Sequence, residues 1–152
     1  MKKRLHDFRF VPPHYFYACL VLLPALYFIF PQFAYIKFPY NLSGIIIFLL
    51  GFWLLAASWY KFKDHNTPEK FEKSTCCVDT GPYKISRNPM YLAGVLCLAG
   101  LALIFGNILC LAVPVLFGVL MDVIFIGYEE EKMEKELGKE FLDYKKKTRR
   151  WI

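Results

Sequence analysis

Two short stretches hold the residue types best suited to chemistry. Residues 81–91 read GPYKISRNPMY, and residues 127–138 read GYEEEKMEKELG. In the first, Gly81-Pro82 marks a turn, and Asn88-Pro89 marks a helix start, with Asn at the N-cap and Pro at the first helical position. The first N–H groups of that helix lack partners inside it and, with the helix dipole, favour an anion. Arg87 adds a full positive charge beside them, and Tyr91 falls in the first turn. Taken alone, the same residues also describe a capped helix whose Arg87 snorkels to lipid phosphate and whose Tyr91 anchors the interface.

The second stretch supplies the opposite charge. Glu129, Glu130 and Glu131 follow an apolar run that contains Asp122, seven residues before Glu129. Seven residues make about two helical turns, which places Asp122 and Glu129 on one face. An acid inside an apolar run is costly and is a functional candidate by default. The structural alternative has Asp122 near the interface, bonded to a neighbouring Ser, Tyr or backbone group. The alternative for the three glutamates is a solvated acidic turn.

The elements that position these groups follow from charge. No Asp, Glu, Lys or Arg lies between Arg9 and Lys37, between Lys37 and Lys61, or among the 34 residues between Arg87 and Asp122. A spanning helix takes about 20 apolar residues, so the first two runs form one span each and the third forms two, divided at Gly106-Asn107. The expected architecture is an all-α, polytopic integral membrane protein of one domain, residues 1–152. Its four transmembrane helices cover about 14–36, 41–60, 89–105 and 108–128, the last two forming a helical hairpin. The third is barely long enough to cross. Residues 61–88 are a cytoplasmic loop, and 129–152 a cytoplasmic C-terminal segment with helical, amphipathic spacing at Met133, Leu137, Phe141 and Tyr144. Gly138 is a candidate break in it, and Trp151 a candidate for returning the tail to the bilayer.

This layout puts 18 of the 19 Lys and Arg residues on one side, Lys37 being the exception. The positive-inside rule makes that side cytoplasmic, with both termini inside. The net charge of +6 then reflects membrane topology, and no nucleic-acid partner is expected. Cys19, Cys97 and Cys110 fall in spans as small apolar packing residues. The vicinal Cys76-Cys77 have neither the spacing nor the histidines of a zinc site, and no metal is expected. The hairpin returns its two ends to one face, so cationic and anionic groups flank one interfacial pocket.

Together the motifs resemble a family. GPYxxxRNPMY, then EExxMxxxLGxxF, then a terminal RRW, is similar to the isoprenylcysteine carboxyl methyltransferase and phospholipid methyltransferase group of integral membrane enzymes. The resemblance covers about residues 61–152. Met133, Leu137, Phe141 and Thr148 depart from the pattern by exchanges that affect packing. Asn88 stands where many members have His, which removes a titratable ring and with it a proton-transfer role.

The resemblance implies methyl transfer from S-adenosylmethionine to a lipophilic or small acceptor: a prenylcysteine carboxylate, a phospholipid amine or a thiol. Arg87 and the N–H groups after Asn88 and Pro89 suit the cofactor carboxylate. Glu129 and Glu130 suit its ammonium or ribose hydroxyls. Tyr83 and Tyr91 suit the adenine or, through cation–π contact, the sulfonium. Arg150 is a candidate to close over the cofactor, with an interfacial lipid contact as its alternative. His65 and Thr67-Pro68 are read as loop structure. If the acceptor carries a proton, Glu130 or Asp122 is the expected catalytic base. A soluble donor and an apolar acceptor would meet at the membrane surface, which accounts for specific residues at the edge of an apolar run. Rival readings are an NADPH-dependent membrane reductase with a related cofactor pocket, and a small four-span transporter; the latter calls for an ionisable residue within the early helices, where only His14 stands, near an edge. The sequence sets no oligomeric state.

Overall fold

Inside a bilayer a chain must satisfy its own backbone, which an apolar segment does by forming a helix. The computed structural model describes residues 12–64 and 78–152, and helices dominate both stretches. Helix α1 runs Pro12–Ile29, α2 Ser43–Asp64 and α3 Pro89–Phe105. One continuous helical run, Ile108–Leu137, follows. It contains a 3-10 turn, then α4 (Ala112–Leu120), a π-helical stretch at Met121–Ile126, and α5 (Gly127–Leu137). Helix α6 (Lys139–Lys147) is set off from α5 by Gly138, whose φ is +54°. His65, Thr67-Pro68 and Cys76-Cys77 lie outside the described residues.

The first helix is shorter than its uncharged run. It ends at Ile29 rather than near 36, because Pro31 offers no N–H and pushes Phe30 out of helical geometry, to φ −124° and ψ 57°. Pro24 is accommodated inside α1. Among the described residues, three helical stretches are long and apolar enough to cross a membrane: Pro12–Ile29, Tyr40–Lys63 and Ile108–Leu137. Helix α3 is equally apolar but has 17 residues. At 1.5 Å per residue it is about 25 Å long, short of a hydrocarbon core of about 30 Å.

Gly106-Asn107 turns the hairpin as its residue types demand. Gly106 takes φ +68° and donates its N–H to the carbonyls of Ala102 and Leu103, a left-handed cap that a side chain disfavours. The Asn107 Oδ1 accepts from the Leu109 N–H at 3.0 Å, and its Nδ2 donates to the Phe30 carbonyl at 2.8 Å. The Ile36 N–H adds a bond to the Gly106 carbonyl. The α1–α2 connection and the hairpin tip therefore meet at one end of the bundle.

Packing follows residue size. Helices α2 and α3 come closest, over Gly44, Gly51 and Gly100. A Cβ on Gly100 would sit 2.7 Å from the Gly44 carbonyl oxygen. Such close backbone approach is how helices associate in lipid, where apolar burial alone supplies little drive. A buried cluster with Leu23, Leu98, Val113, Phe117, Met121 and Phe125 joins α1, α3 and α4 to the π-helical stretch. Cys19, Cys97 and Cys110 are buried thiols. Ile46, Leu49, Leu50 and Trp53 of α2 are exposed, an apolar face that suits lipid contact.

Candidate functional site

At the end opposite the hairpin tip, Glu130 gathers the charges. Its Oε1 accepts from Arg87 Nη2 at 2.8 Å and Nε at 3.3 Å, and from Arg150 Nε at 3.1 Å. Its Oε2 accepts from Arg150 Nη2 at 2.9 Å and lies 3.7 Å from Lys145 Nζ. The Glu130 and Arg87 side chains are both more than nine-tenths buried. Arg87 Nη1 donates to the carbonyls of Lys145 and Thr148. The meeting of the two motifs expected from the hairpin is present, with Arg87 lying behind Glu130 rather than open to a ligand.

A strap at residues 148–151 closes this end. The Arg87 N–H donates to the Arg149 carbonyl at 2.9 Å. Ser86 Oγ and Asn88 Nδ2 each donate to the Arg150 carbonyl at 3.2 Å. Asn88 does occupy the N-cap position, but its side chain makes no capping bond. It ties the strap instead, a correction to the expected cap. Pro89 is the first helical residue, as expected, and is fully buried.

Asp122 pairs with the strap, and not with the Ser, Tyr or backbone group of its structural alternative. Its Oδ1 accepts from Arg150 Nη1 at 3.3 Å and from the Trp151 indole at 3.1 Å. Arg150 thus bridges Asp122 to Glu130, and not to Glu129. Eight α-helical residues would turn those two carboxylates about 80° apart. The π-helical stretch between them absorbs an extra residue and restores a shared face. Glu129 turns toward α3, where its Oε1 accepts from the Tyr91 hydroxyl at 2.7 Å. Tyr83 is buried, and its carbonyl accepts from the Tyr144 hydroxyl at 2.6 Å. Burial, and then the Glu129 charge, push the Tyr83 hydroxyl above its ordinary range, so it stays protonated. The Glu130 hydrogen bond, reinforced by Asp122, likewise holds Arg150 charged.

Two concavities meet at the strap. One, of about 610 Å³, is lined by Gly127, Glu130, Glu131, Glu134, Lys135, Lys145 and Arg150. The other, of about 380 Å³, is an apolar groove between α3 and α4 whose inner end is formed by Asp122 and Trp151. Of the sequence candidates, Glu130 and Arg150 line the charged cavity and Asp122 lines the groove. Arg87 and Asn88 brace the strap, while Tyr91 and Glu129 pair on a neighbouring flank of α5.

Comparison with known families adds the deciding observation. The model of the phospholipid methyltransferase family, described as "Phospholipid methyltransferase", matches residues 40–140. The chain belongs to the phospholipid methyltransferase family. No curated protein and no solved structure matches it. The match begins at Tyr40, earlier than the motif resemblance, and so takes in all of α2 and α3. Membership implies that this helical membrane protein is a methyltransferase. The matched segment contains Arg87, Glu129 and Glu130 but stops before Arg150 and Trp151.

Several residues of the candidate site escaped the sequence reading, among them Lys145, Trp151 and Gly127. Lys145 looks like one of several solvated cations, and Trp151 like an interfacial anchor. Gly127 left a usable signal, being a lone Gly inside a helical pattern, which costs about 1 kcal/mol relative to Ala. A Cβ there would meet nothing within 4 Å, so no close packing requires the glycine.

Proposed function

We propose that the chain transfers a methyl group from S-adenosylmethionine to a lipophilic or small acceptor at the cytoplasmic face of the membrane. The carrying observation is the adjacency of a cavity lined by both signs of charge and an apolar groove, divided by Asp122, Arg150 and Trp151. The residues fit the donor. Its carboxylate suits Arg150 and Lys145, and its ammonium and ribose hydroxyls suit Glu130, Glu131 and Glu134. Gly127 keeps the wall between them low. Tyr91 and Glu129 sit about 100° around α5 from Glu130, and their hydroxyl and carboxylate suit the ribose or the sulfonium. Arg87 acts through Glu130, as a positioning residue.

The bound cofactor supplies a methyl group already activated by its sulfonium. The protein's part is to hold donor and acceptor in line, about 3–3.5 Å apart, and to exclude water. An acceptor that carries a proton also needs a base. Glu130 is engaged by two guanidiniums through both oxygens, whereas Asp122 accepts from Arg150 and Trp151 through Oδ1 alone, which makes Asp122, on the groove side, the better placed carboxylate. The acceptor class stays as broad as prenylcysteine carboxylates, phospholipid amines and thiols.

Isothermal titration of the purified protein in lipid is expected to show binding of S-adenosylmethionine and none of NADPH. A well-folded sample that binds neither, or only NADPH, would contradict the proposal. We further propose that α3 crosses as a fourth, thin span and that both termini are cytoplasmic. A reporter fused after Ile152 should be active only inside the cell. Activity only outside would reverse the orientation.

A further inference from the structure

The strap does more than cover the charged cavity. Its backbone is fixed by Ser86, Arg87 and Asn88, which hold the Arg149 and Arg150 carbonyls. From that fixed backbone the Trp151 side chain reaches the inner end of the apolar groove, where Asp122 accepts its indole N–H. Arg150, the preceding residue, points into the charged cavity and also bonds Asp122. One carboxylate therefore sets two neighbouring side chains on opposite sides of a single wall. The outer rim of the groove is formed by Val115, Val119 and Val123, all exposed on the Ile108–Leu137 span. A membrane places acyl chains there, which suits the groove to an apolar chain from the bilayer. Gly118 and Val95 shape its floor.

We propose that Trp151 is the partition between the lipid-facing groove and the charged cavity, that Asp122 is its positioning residue, and that the indole selects which acceptors pass. This rests on the reading of the charged cavity as the methyl-donor site. An indole suits such a partition because its ring continues the apolar wall toward the chain. Its N–H needs one acceptor when buried, which Asp122 supplies. Losing that acceptor leaves an unpaired polar group in apolar surroundings, a state the ring escapes by rotating toward water.

The test uses the full chain with Trp53→Phe and Trp59→Phe, leaving Trp151 as the sole indole, in phosphatidylcholine vesicles. Emission should be quenched strongly by acyl-chain-brominated phosphatidylcholine and weakly by aqueous iodide. In Asp122→Leu, iodide quenching should rise several-fold, emission should shift to the red, and bromine quenching should fall. Asp122→Asn, whose amide oxygen still accepts the indole N–H, should stay near the parent; that rescue separates positioning from general loss of structure. Iodide quenching of the parent as strong as bromine quenching overturns the partition without recourse to any Asp122 variant. So does an Asp122→Leu protein that matches the parent. Trp151→Ala should leave the KM for labelled S-adenosylmethionine unchanged while widening the range of products methylated in total membrane lipid and thiol extracts. An unchanged product range at unchanged KM overturns the selecting role. Titration of S-adenosylmethionine on the same sample keeps the two readings apart. A shielded Trp151 without cofactor binding refutes the donor site alone, and cofactor binding with a water-exposed Trp151 refutes the partition alone.

Discussion

Replacing Glu130 with alanine is expected to destabilise the charged end of the bundle, and not merely to weaken ligand binding. Glu130 is 6% exposed and takes hydrogen bonds from two arginines. Arg150 is more than one-third exposed and relaxes into water when its partner is removed. Arg87 is less than one-tenth exposed and cannot. Leaving a buried charge unpaired costs about 3–5 kcal/mol. Glu130→Leu combined with Arg87→Leu removes both charges and should recover part of that loss, because the pair's desolvation cost disappears with it. Denaturant unfolding in detergent, followed by the helical signal and run as a double-mutant cycle of Glu130→Leu, Arg87→Leu and the pair, reads the difference. A single Glu130→Ala variant as stable as the parent, or a double variant less stable than the sum of its parts, would contradict the arrangement. Cofactor binding should be lost in every variant without Glu130.

Gly127→Leu is expected to do the reverse, weakening cofactor binding while the fold holds. Gly127 has helical geometry, φ −59° and ψ −39°, so a side chain is not strained there. Relative to Gly, Ala in a helix gains about 0.5–1 kcal/mol, and Leu is nearly as good a helix former. The new side chain projects into the charged cavity, where Gly127 is a lining residue and a Cβ meets no other atom within 4 Å. Overfilling a site costs about 1–3 kcal/mol, so affinity for S-adenosylmethionine should drop about 10- to 100-fold, with Gly127→Ala in between. Titration measures the affinity, and a thermal melt of the same sample measures the fold. If Gly127→Leu binds S-adenosylmethionine as the parent does, the cofactor is held elsewhere.

Gly127 and Glu130 stand one turn apart on α5, yet they were not equally legible. Three successive glutamates after an apolar run attract notice because charge beside a membrane is costly. A glycine does so only once the space around it is known. Arg87 was legible as a functional cation, but the structure gives its guanidinium to Glu130 and to two carbonyls at the α6 end. Arg87 and Glu130 are 43 residues apart, and no spacing rule selects one acid from three neighbours over that separation. The π-helical stretch made the choice, by turning Glu130 and not Glu129 to the side of Asp122 and the strap.

The sequence by itself determined the apolar helices, the hairpin turn at Gly106-Asn107, the helix start at Pro89 and the convergence of a basic and an acidic motif. These follow from local rules: a bilayer admits uncharged helix, glycine accepts a positive φ, and proline lacks an N–H. Tertiary structure alone decided the Arg87–Glu130–Arg150 clasp, the turning of Asn88 from cap to strap, and the placing of Arg150 and Trp151 on two sides of one wall. Each depends on which donor lies nearest which acceptor after the helices have packed. A guanidinium has no preference among carboxylates along a chain, and only in three dimensions does one of them come within about 3 Å.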